Sequence, residues 1–111
     1  MHMGSMAIVA SKSPSNYIHV VFNNGAHDSV GGQPTVGLKI DLPAVAKAVG
    51  YSTIYSVDNK ADLEAVMDKV KDSTGPVFLE VKAKKGNRKD LGRPTTTPIQ
   101  NKEALMKFLS K

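Results

Sequence analysis

The sequence predicts an α/β fold in which helices lie on both faces of a parallel sheet, a partial three-layer α/β/α arrangement. Short β-branched and apolar runs alternate along the chain with segments whose apolar residues recur at helical spacing. Strands that are separated by helices pair in parallel through right-handed crossovers, which is the second reason for the prediction. The third is the length, since 111 residues are enough for one modest domain with a single core.

The first third of the chain predicts a helix, a strand and a long polar loop. Small and apolar residues over 1–13 are typical of a helix that ends before Pro14. Residues 17–22 form a β-branched and aromatic run, which predicts a buried parallel strand. Residues 23–40 are too long and too polar for a simple connection. Loops of this length in compact domains are usually functional or disordered.

The middle of the chain predicts two helices with a short strand between them. Apolar residues recur at helical spacing over residues 42–49 and again over residues 63–70. Asp41 and Asn59 are placed to cap the first turns of these helices. The strand between them is predicted at residues 54–57.

The last third predicts a strand, a basic loop and a final helix. Residues 77–83 begin as an apolar run and then alternate, which indicates a third strand. Residues 86–98 are rich in glycine, proline, threonine and basic side chains. Asn101 is expected to cap the last helix. The apolar residues expected to face the core from this helix are Leu105, Phe108 and Leu109.

Composition and charge narrow the classes of function. The absence of cysteine excludes a disulfide scaffold and a thiolate metal site. A net charge of +5 is typical of many nucleic-acid-binding modules. However, three tyrosines, three phenylalanines and no tryptophan make a thin platform for base stacking. Apolar runs stay far short of the roughly 20 residues that span a bilayer, so we expect neither a nucleic acid nor a membrane as partner, and a cytoplasmic location.

The loop after the first predicted strand carries polar groups that suit an anionic ligand. In open α/β sheets, ligands bind at the carboxyl ends of the strands. Amide and carbonyl oxygens at such a position are hard ligands of the kind that Mg²⁺ accepts beside phosphate oxygens. His27 and Ser29 are able to donate hydrogen bonds to a diphosphate, and the glycines allow close backbone approach. The alternative interpretation of the same segment is a plain Asn-Gly turn without a ligand.

A second polar segment follows the third predicted strand. Arg88 and Arg93 carry planar guanidinium groups that suit bidentate recognition of oxyanions. Three threonine hydroxyls follow at residues 95–97. The alternative is a solvated basic loop that covers the subunit surface or docks on a neighbouring subunit.

Taken together, these two segments carry a resemblance to a known family. The run Asn-Asn-Gly-Ala-His-Asp-Ser at residues 23–29, with Arg-Lys-Asp-Leu-Gly-Arg-Pro-Thr-Thr-Thr-Pro at residues 88–98, resembles the thiamine-diphosphate-dependent decarboxylases, and phosphonopyruvate decarboxylases in particular. The likeness covers nearly the whole chain. It implies that residues 1–111 are the C-terminal part of a thiamine-diphosphate-binding domain, with thiamine diphosphate and Mg²⁺ as cofactors.

The resemblance also implies roles for single residues of the loop. The second asparagine of the pair, Asn24, would bind Mg²⁺ through its side chain, and Ala26 would bind it through its backbone carbonyl. Gly25, His27 and Ser29 would lie near the diphosphate.

The residues for proton transfer and substrate binding are less clearly indicated. Val30 stands where relatives often carry a catalytic glutamate, so His27 and Asp28 are the remaining candidates for acid/base chemistry. Arg88 and Arg93 are the candidates for binding the anionic group of the substrate or for charge at an interface.

The reaction implied is that of a carboxy-lyase, which converts 3-phosphonopyruvate to phosphonoacetaldehyde and CO₂ in the biosynthesis of 2-aminoethylphosphonate. No Gly-Asp-Gly motif precedes Asn24, so the metal carboxylate of the family is missing. One neutral amide and one carbonyl do not hold Mg²⁺ and a diphosphate alone. We therefore expect a fragment that is inactive without the N-terminal part of the same enzyme.

Further expectations concern partners and alternatives. A small keto acid is the expected substrate, and a homo-oligomer is expected because such cofactors lie between domains of different subunits. The close alternative is a sulfopyruvate decarboxylase subunit, which handles a similar anionic keto acid. The alternative from another class is a small basic module that binds nucleic acid.

Overall fold

The structure is a computed structural model that describes residues 2–110, so that Met1, the expected start of the first helix, lies outside the described residues. Helices and strands alternate along the chain in the predicted order, with a small hairpin added in the long loop. The elements are α1 (Ser5–Lys12), β1 (Ile18–Asn23), β2 (Ala26–His27), a 3₁₀ turn (Asp28–Val30), β3 (Gln33–Pro34), α2 (Leu42–Val49), β4 (Thr53–Val57), α3 (Lys60–Asp72), β5 (Val77–Lys82) and α4 (Pro98–Leu109).

The main sheet has three parallel strands in the order β1-β5-β4. Ile18 of β1 and Thr53 of β4 both pair with Val77 of β5, so the three strands start level with one another. The central strand β5 is buried along residues 77–81, an apolar run that is interrupted by Glu80. The predicted α/β fold with a parallel sheet is confirmed.

The core lies on both faces of this sheet. On one face, Phe78 packs with Met6 and Ala10 of α1 and with Ala46 of α2. On the other face, Val70 of α3 packs with a cluster of valines and a leucine from the sheet. The sheet members of this second cluster are Val57, Val77, Leu79 and Val81. Since side chains alternate along β5, one strand supplies both clusters and produces the three layers.

The N-caps of the two middle helices are those that the sequence predicts. Asp41 accepts a hydrogen bond from the backbone N–H of Ala44 at 2.9 Å. Asn59 accepts one from the N–H of Asp62 at 3.0 Å. Each bond satisfies a donor that the first helical turn leaves without a partner. Gly50 ends α2 with a φ of 109°, a left-handed conformation that glycine adopts readily.

The prediction that the first strand is buried on both faces is wrong. β1 lies at an edge of the sheet, and only the face of His19 and Val21 turns toward α1 and α2. Ile18, Val20 and Phe22 point to the opposite face, and Phe22 is 71% exposed. The reason is that α3 covers β4 and β5 on that face and does not extend over β1 within residues 2–110.

Two expectations for the last helix are also wrong. The N-cap is Thr97, whose Oγ1 accepts a hydrogen bond from the N–H of Gln100 while the Gln100 side chain accepts one from the N–H of Thr97. This reciprocal pair, followed by Pro98 in the first turn, fixes the start three residues before Asn101 is reached. The three residues expected to face the core are exposed, namely Leu105, Phe108 and Leu109.

The molecule is extended by its C-terminal segment. Every described residue from 82 onward is exposed. The radius of gyration is 16.5 Å, whereas a compact domain of this length has about 13 Å. None of the helices within residues 2–110 is long and apolar enough to cross a membrane.

Candidate cofactor-binding site

An open cleft of about 730 Å³ lies at the carboxyl end of β1. We call it the β1 cleft. Residues 23–27 and 34–37 form one wall, and Met3, Met6 of α1 and Phe78 of the sheet contribute to the rest. The cleft is thus at the sheet edge where ligands bind in open α/β folds.

The wall of the cleft is the antiparallel hairpin of β2 and β3. The carbonyl of Gly25 accepts a hydrogen bond from the N–H of Thr35 at 2.8 Å, and that of His27 accepts one from the N–H of Gly32 at 2.9 Å. Gly25 has a φ of 67°, and a Cβ at this position would lie 2.6 Å from the Cδ1 of Leu38. Glycine is therefore required at this point both by the backbone conformation and by the space.

Asn24 lines the cleft with its side-chain amide held at both ends. Its Oδ1 accepts a hydrogen bond from the N–H of Ala26 at 3.0 Å. Its Nδ2 donates to Oδ2 of Asp28 at 2.7 Å. The amide oxygen is thereby fixed beside the backbone of Ala26, so the two predicted metal ligands are neighbours at the rim of the cleft.

Ala26 lies opposite Pro34 in the hairpin, and the bond from the N–H of Thr35 to the carbonyl of Gly25 flanks this pair. Ala26 and Pro34 are therefore a pair without hydrogen bonds between them, so the carbonyl of Ala26 points away from β3. An amide oxygen and a free carbonyl oxygen are ligands that suit Mg²⁺. No group of three or more histidine or acidic side chains within residues 2–110 could hold a metal ion. These donors therefore fit part of a magnesium site and lack the charge of a complete one.

Asn23, the neighbour of Asn24, has a different environment. It is buried, and its Nδ2 donates to Oε1 of Glu80 at 2.7 Å and to the carbonyl of Gly37 at 2.8 Å. Its Oδ1 accepts from the N–H of Gly25 at 3.3 Å. Asn23 therefore anchors the start of the hairpin to the sheet, whereas Asn24 is bonded to residues of the loop itself.

Glu80 holds the base of the hairpin in place, and the sequence analysis did not identify it. It is 1% exposed in the central strand, and its Oε2 accepts a hydrogen bond from the hydroxyl of Ser56 at 2.7 Å. Ser56, Glu80 and Asn23 thus link all three strands of the sheet beneath the hairpin. The available signal was a glutamate within an apolar strand, since glutamate is almost never fully buried without partners.

The acid/base candidates are separated by the fold. His27 is half-buried and lines the β1 cleft. Asp28 and Ser29 do not line it. The Oδ2 of Asp28 accepts hydrogen bonds from Asn24 and from the N–H of Gly86, the latter at 3.0 Å, and Ser29 is exposed.

The two candidate arginines lie outside the cleft, on an exposed segment that we call the basic arm, residues 84–93. Arg88 Nε is 3.3 Å from Oδ1 of Asp90, and both side chains are largely exposed. Arg93 is exposed as well. The start of the arm contacts the hairpin, because Lys85 Nζ donates to the carbonyl of Gly32 at 2.7 Å.

His19 lies in the wall of the cleft, on the face of β1 that turns toward α1 and α2. Its Nδ1 is 2.9 Å from the hydroxyl of Tyr51, and its ring contacts Phe78 edge-on with 5.4 Å between centroids. Burial lowers the pKa of His19 and raises the pKa of Tyr51. His19 is therefore a hydrogen-bonded histidine of the cleft wall.

Comparison with known protein families gives a match that includes the hairpin and the three-stranded sheet. Residues 1–81 match the model described as the thiamine pyrophosphate enzyme, C-terminal TPP binding domain. The chain belongs to this family. Thiamine pyrophosphate is the same compound as thiamine diphosphate, so the resemblance stated from the two sequence motifs is confirmed at the level of the family.

Individual relatives carry two related names. Phosphonopyruvate decarboxylase of Streptomyces viridochromogenes is 38% identical over 100 residues, which are 90% of this chain and 25% of the relative. That of Streptomyces hygroscopicus is 34% identical over 111 residues, which are 100% of this chain and 28% of the relative. The sulfopyruvate decarboxylase subunit beta of Methanothermobacter thermautotrophicus is 37% identical over 88 residues, 78% of this chain and 44% of the relative.

The chain thus spans about a quarter of the length of the two phosphonopyruvate decarboxylases. The relatives are all named decarboxylases, and none of these names refers to nucleic acid. The nucleic-acid alternative is therefore not favoured.

Proposed function

We propose that this chain, residues 1–111, is the C-terminal part of the cofactor-binding domain of a decarboxylase. Its substrate is 3-phosphonopyruvate and its products are phosphonoacetaldehyde and CO₂, a step toward 2-aminoethylphosphonate. The observation that carries the proposal is the pairing of Asn24 and Ala26 at the rim of the β1 cleft, within the residues that match the thiamine pyrophosphate family.

The cofactors proposed are thiamine diphosphate and Mg²⁺. When bound, thiamine diphosphate supplies the electron sink for the carbanion that forms when CO₂ leaves. The Oδ1 of Asn24 and the carbonyl of Ala26 would hold Mg²⁺, since both are hard neutral oxygens. Gly25, His27 and Ser29 belong to the segment that would surround the diphosphate.

His27 is the residue that we propose for proton transfer, since it faces the cleft while the carboxylate of Asp28 is engaged by two other groups. Arg88 and Arg93 would bind the phosphonate of the substrate through their planar forks. Their position on an exposed arm agrees with a role that needs the rest of the enzyme.

The remaining parts of the site are proposed to come from other segments. The donors of this chain are neutral, so the metal carboxylate would come from the N-terminal part of the enzyme. We expect a homo-oligomer that acts in the cytoplasm. The sulfopyruvate decarboxylases remain the second candidate because one of them is 37% identical to this chain.

The metal role of Asn24 is tested in the complete enzyme with Asn24→Ala. The affinity for thiamine diphosphate in the presence of Mg²⁺ should fall roughly tenfold or more, because a metal ligand is removed. The KM for the keto acid should change much less. Titration of cofactor into apoenzyme, followed by fluorescence quenching, measures the first quantity.

The matched control is Asn101→Ala, which removes an exposed asparagine of α4 far along the chain from the cleft. It should leave cofactor affinity unchanged. Equal cofactor affinity of Asn24→Ala and the unsubstituted enzyme would contradict the proposal.

The substrate is tested by comparing kcat/KM for 3-phosphonopyruvate and 3-sulfopyruvate under the same conditions. A higher value for phosphonopyruvate supports the proposed function. A higher value for sulfopyruvate assigns the chain to the second candidate.

A further inference from the structure

Asp28 has an unusual position for a residue next to a cofactor loop. Its carboxylate does not line the β1 cleft, yet one oxygen, Oδ2, accepts two hydrogen bonds from different parts of the chain. One donor is Nδ2 of Asn24, four residues before it. The other is the N–H of Gly86, which lies 58 residues further along the chain at the start of the basic arm.

We propose that Asp28 is a positioning residue that fixes both the orientation of the Asn24 amide and the start of the basic arm. The proposal deepens the proposed function and rests on it for the role of Asn24. It assigns no chemical step to Asp28 itself.

The orientation of the amide follows from the hydrogen-bonding character of its neighbours. An ionised carboxylate only accepts hydrogen bonds, so it pairs with the NH₂ end of Asn24. The N–H of Ala26 only donates, so it pairs with the oxygen end. If the amide were turned by 180°, its oxygen would face the carboxylate of Asp28 and its NH₂ group would face the N–H of Ala26. Neither contact is a hydrogen bond. Asp28 therefore keeps the oxygen of Asn24 on the side of Ala26, where the second proposed metal ligand lies.

The same carboxylate holds the arm that carries Arg88 and Arg93. Gly86 donates to Asp28, and the adjacent Lys85 donates to Gly32 at the far end of the hairpin. These two contacts attach the start of an otherwise exposed segment to the cofactor loop. Placement of the proposed substrate arginines is thereby coupled to the loop that would hold the metal.

The test uses the complete enzyme with Asp28→Ala and Asp28→Asn. An asparagine oxygen can still accept from both donors, whereas alanine removes the acceptor. Two quantities are measured: backbone hydrogen exchange of residues 84–88 without cofactor, and affinity for thiamine diphosphate at fixed Mg²⁺. Asp72→Ala, at an exposed position at the end of α3, is the control.

Asp28→Ala should speed exchange at residues 84–88 and weaken cofactor affinity, each roughly tenfold. Asp28→Asn should stay close to the unsubstituted enzyme in both the exchange rate and the cofactor affinity. Asp72→Ala should change neither quantity. Circular dichroism identifies any variant that has lost its fold. If Asp28→Ala is unfolded, the comparison of Asp28→Asn with the unsubstituted enzyme still tests the proposal.

The outcomes separate this inference from the proposed function. Unchanged exchange and unchanged cofactor affinity in Asp28→Ala would overturn the role of Asp28. Exchange as fast and affinity as weak in a folded Asp28→Asn as expected for Asp28→Ala would overturn it too. Failure of the unsubstituted enzyme to bind thiamine diphosphate would instead count against the proposed function. The exchange measurement needs no cofactor, so even then faster exchange supports the attachment of the arm and unchanged exchange overturns it.

Discussion

At the scale of single residues, Glu80 shows how the site is supported from below. Its carboxylate is buried in the central strand and is bonded to two neutral donors, Asn23 and Ser56. A buried carboxylate is costly unless hydrogen bonds compensate for its lost hydration. Each of its oxygens has one such bond of 2.7 Å, so the cost is offset only while both partners stay in place.

Two replacements of Glu80 with side chains of similar size should therefore show how much its hydrogen bonds contribute to the free energy of unfolding. Glu80→Leu leaves Asn23 and Ser56 without their acceptor and should lower the free energy of unfolding by about 3 kcal/mol. Glu80→Gln should cost about 1 kcal/mol, because its oxygen can serve Asn23 and the hydroxyl of Ser56 can accept from its NH₂. Urea denaturation measures both values.

The control for this pair is Glu64→Leu on the exposed face of α3, where Glu64 forms a solvated ion pair with Lys60. It should change the free energy of unfolding by less than about 0.5 kcal/mol. A cost for Glu80→Leu no greater than that of Glu64→Leu would contradict the proposed support.

His19 adds a dependence of stability on pH. Burial lowers its pKa below 6.5 in the folded state, so the unfolded chain binds the proton more readily. The contribution of neutral His19 to stability is complete above pH 6.5 and declines as the pH falls through the lower folded-state pKa. The free energy of unfolding should thus decrease from pH 7 toward pH 5, and the decrease should be smaller in His19→Gln.

The exposed His2 serves as the comparison for this measurement. His2→Gln is measured in parallel, so that the effect of removing a histidine at an exposed position is known. An identical acid slope in His19→Gln and the unsubstituted protein would show that His19 is not responsible.

At the scale of secondary-structure elements, local signals explain which parts of the fold could be predicted. Asp41 and Asn59 bond to backbone groups three residues away, so the starts of α2 and α3 are visible in the sequence. The direction in which an apolar stripe faces depends on what covers it. One face of β1 and the apolar stripe of α4 were assigned to the core, and both are exposed because no other described element covers them.

This difference between elements is measurable with two phenylalanines. Phe78 in β5 is 0% exposed and Phe108 in α4 is 69% exposed. Phe78→Ala should lower the free energy of unfolding by about 3–5 kcal/mol, since it leaves a cavity between the sheet and α1. Phe108→Ala should change it by less than about 0.5 kcal/mol. A cost above about 1 kcal/mol for Phe108→Ala would mean that α4 is covered in solution.

The site was predictable to the extent that it lies in one short segment. Asn24 and Ala26 were named from a contiguous motif; the structure joins the Oδ1 of Asn24 to the N–H of Ala26, and their binding of a metal stays a prediction. The contacts of Glu80 with Asn23 and of Asp28 with Gly86 span 57 and 58 residues. Such contacts depend on the packing of the whole sheet and arm, which no local pattern contains.

At the scale of the whole molecule, charge and extent support the proposal that the chain is part of a larger enzyme. The oxygens at the β1 cleft are neutral, the C-terminal segment is exposed, and the chain spans about a quarter of its phosphonopyruvate decarboxylase relatives. The purified 111-residue chain should therefore release no CO₂ from 3-phosphonopyruvate above the rate without protein. The complete enzyme, assayed in parallel with thiamine diphosphate and Mg²⁺, should be active. Turnover by the isolated chain would contradict its expected inactivity.

The opposite environments of Asn23 and Asn24 bear on how the loop tolerates changes in length. Asn23 is bonded to Glu80 of the central strand, whereas Asn24 is bonded to Asp28 and Ala26 within the loop. Inserting one residue between them would leave Asn23 bonded to Glu80 and would shift Asn24 out of register with the end of the sheet. An insertion beside the exposed Ser29 leaves both asparagines in register. Natural length variation among related chains is thus expected at the tip of the hairpin and not at its base.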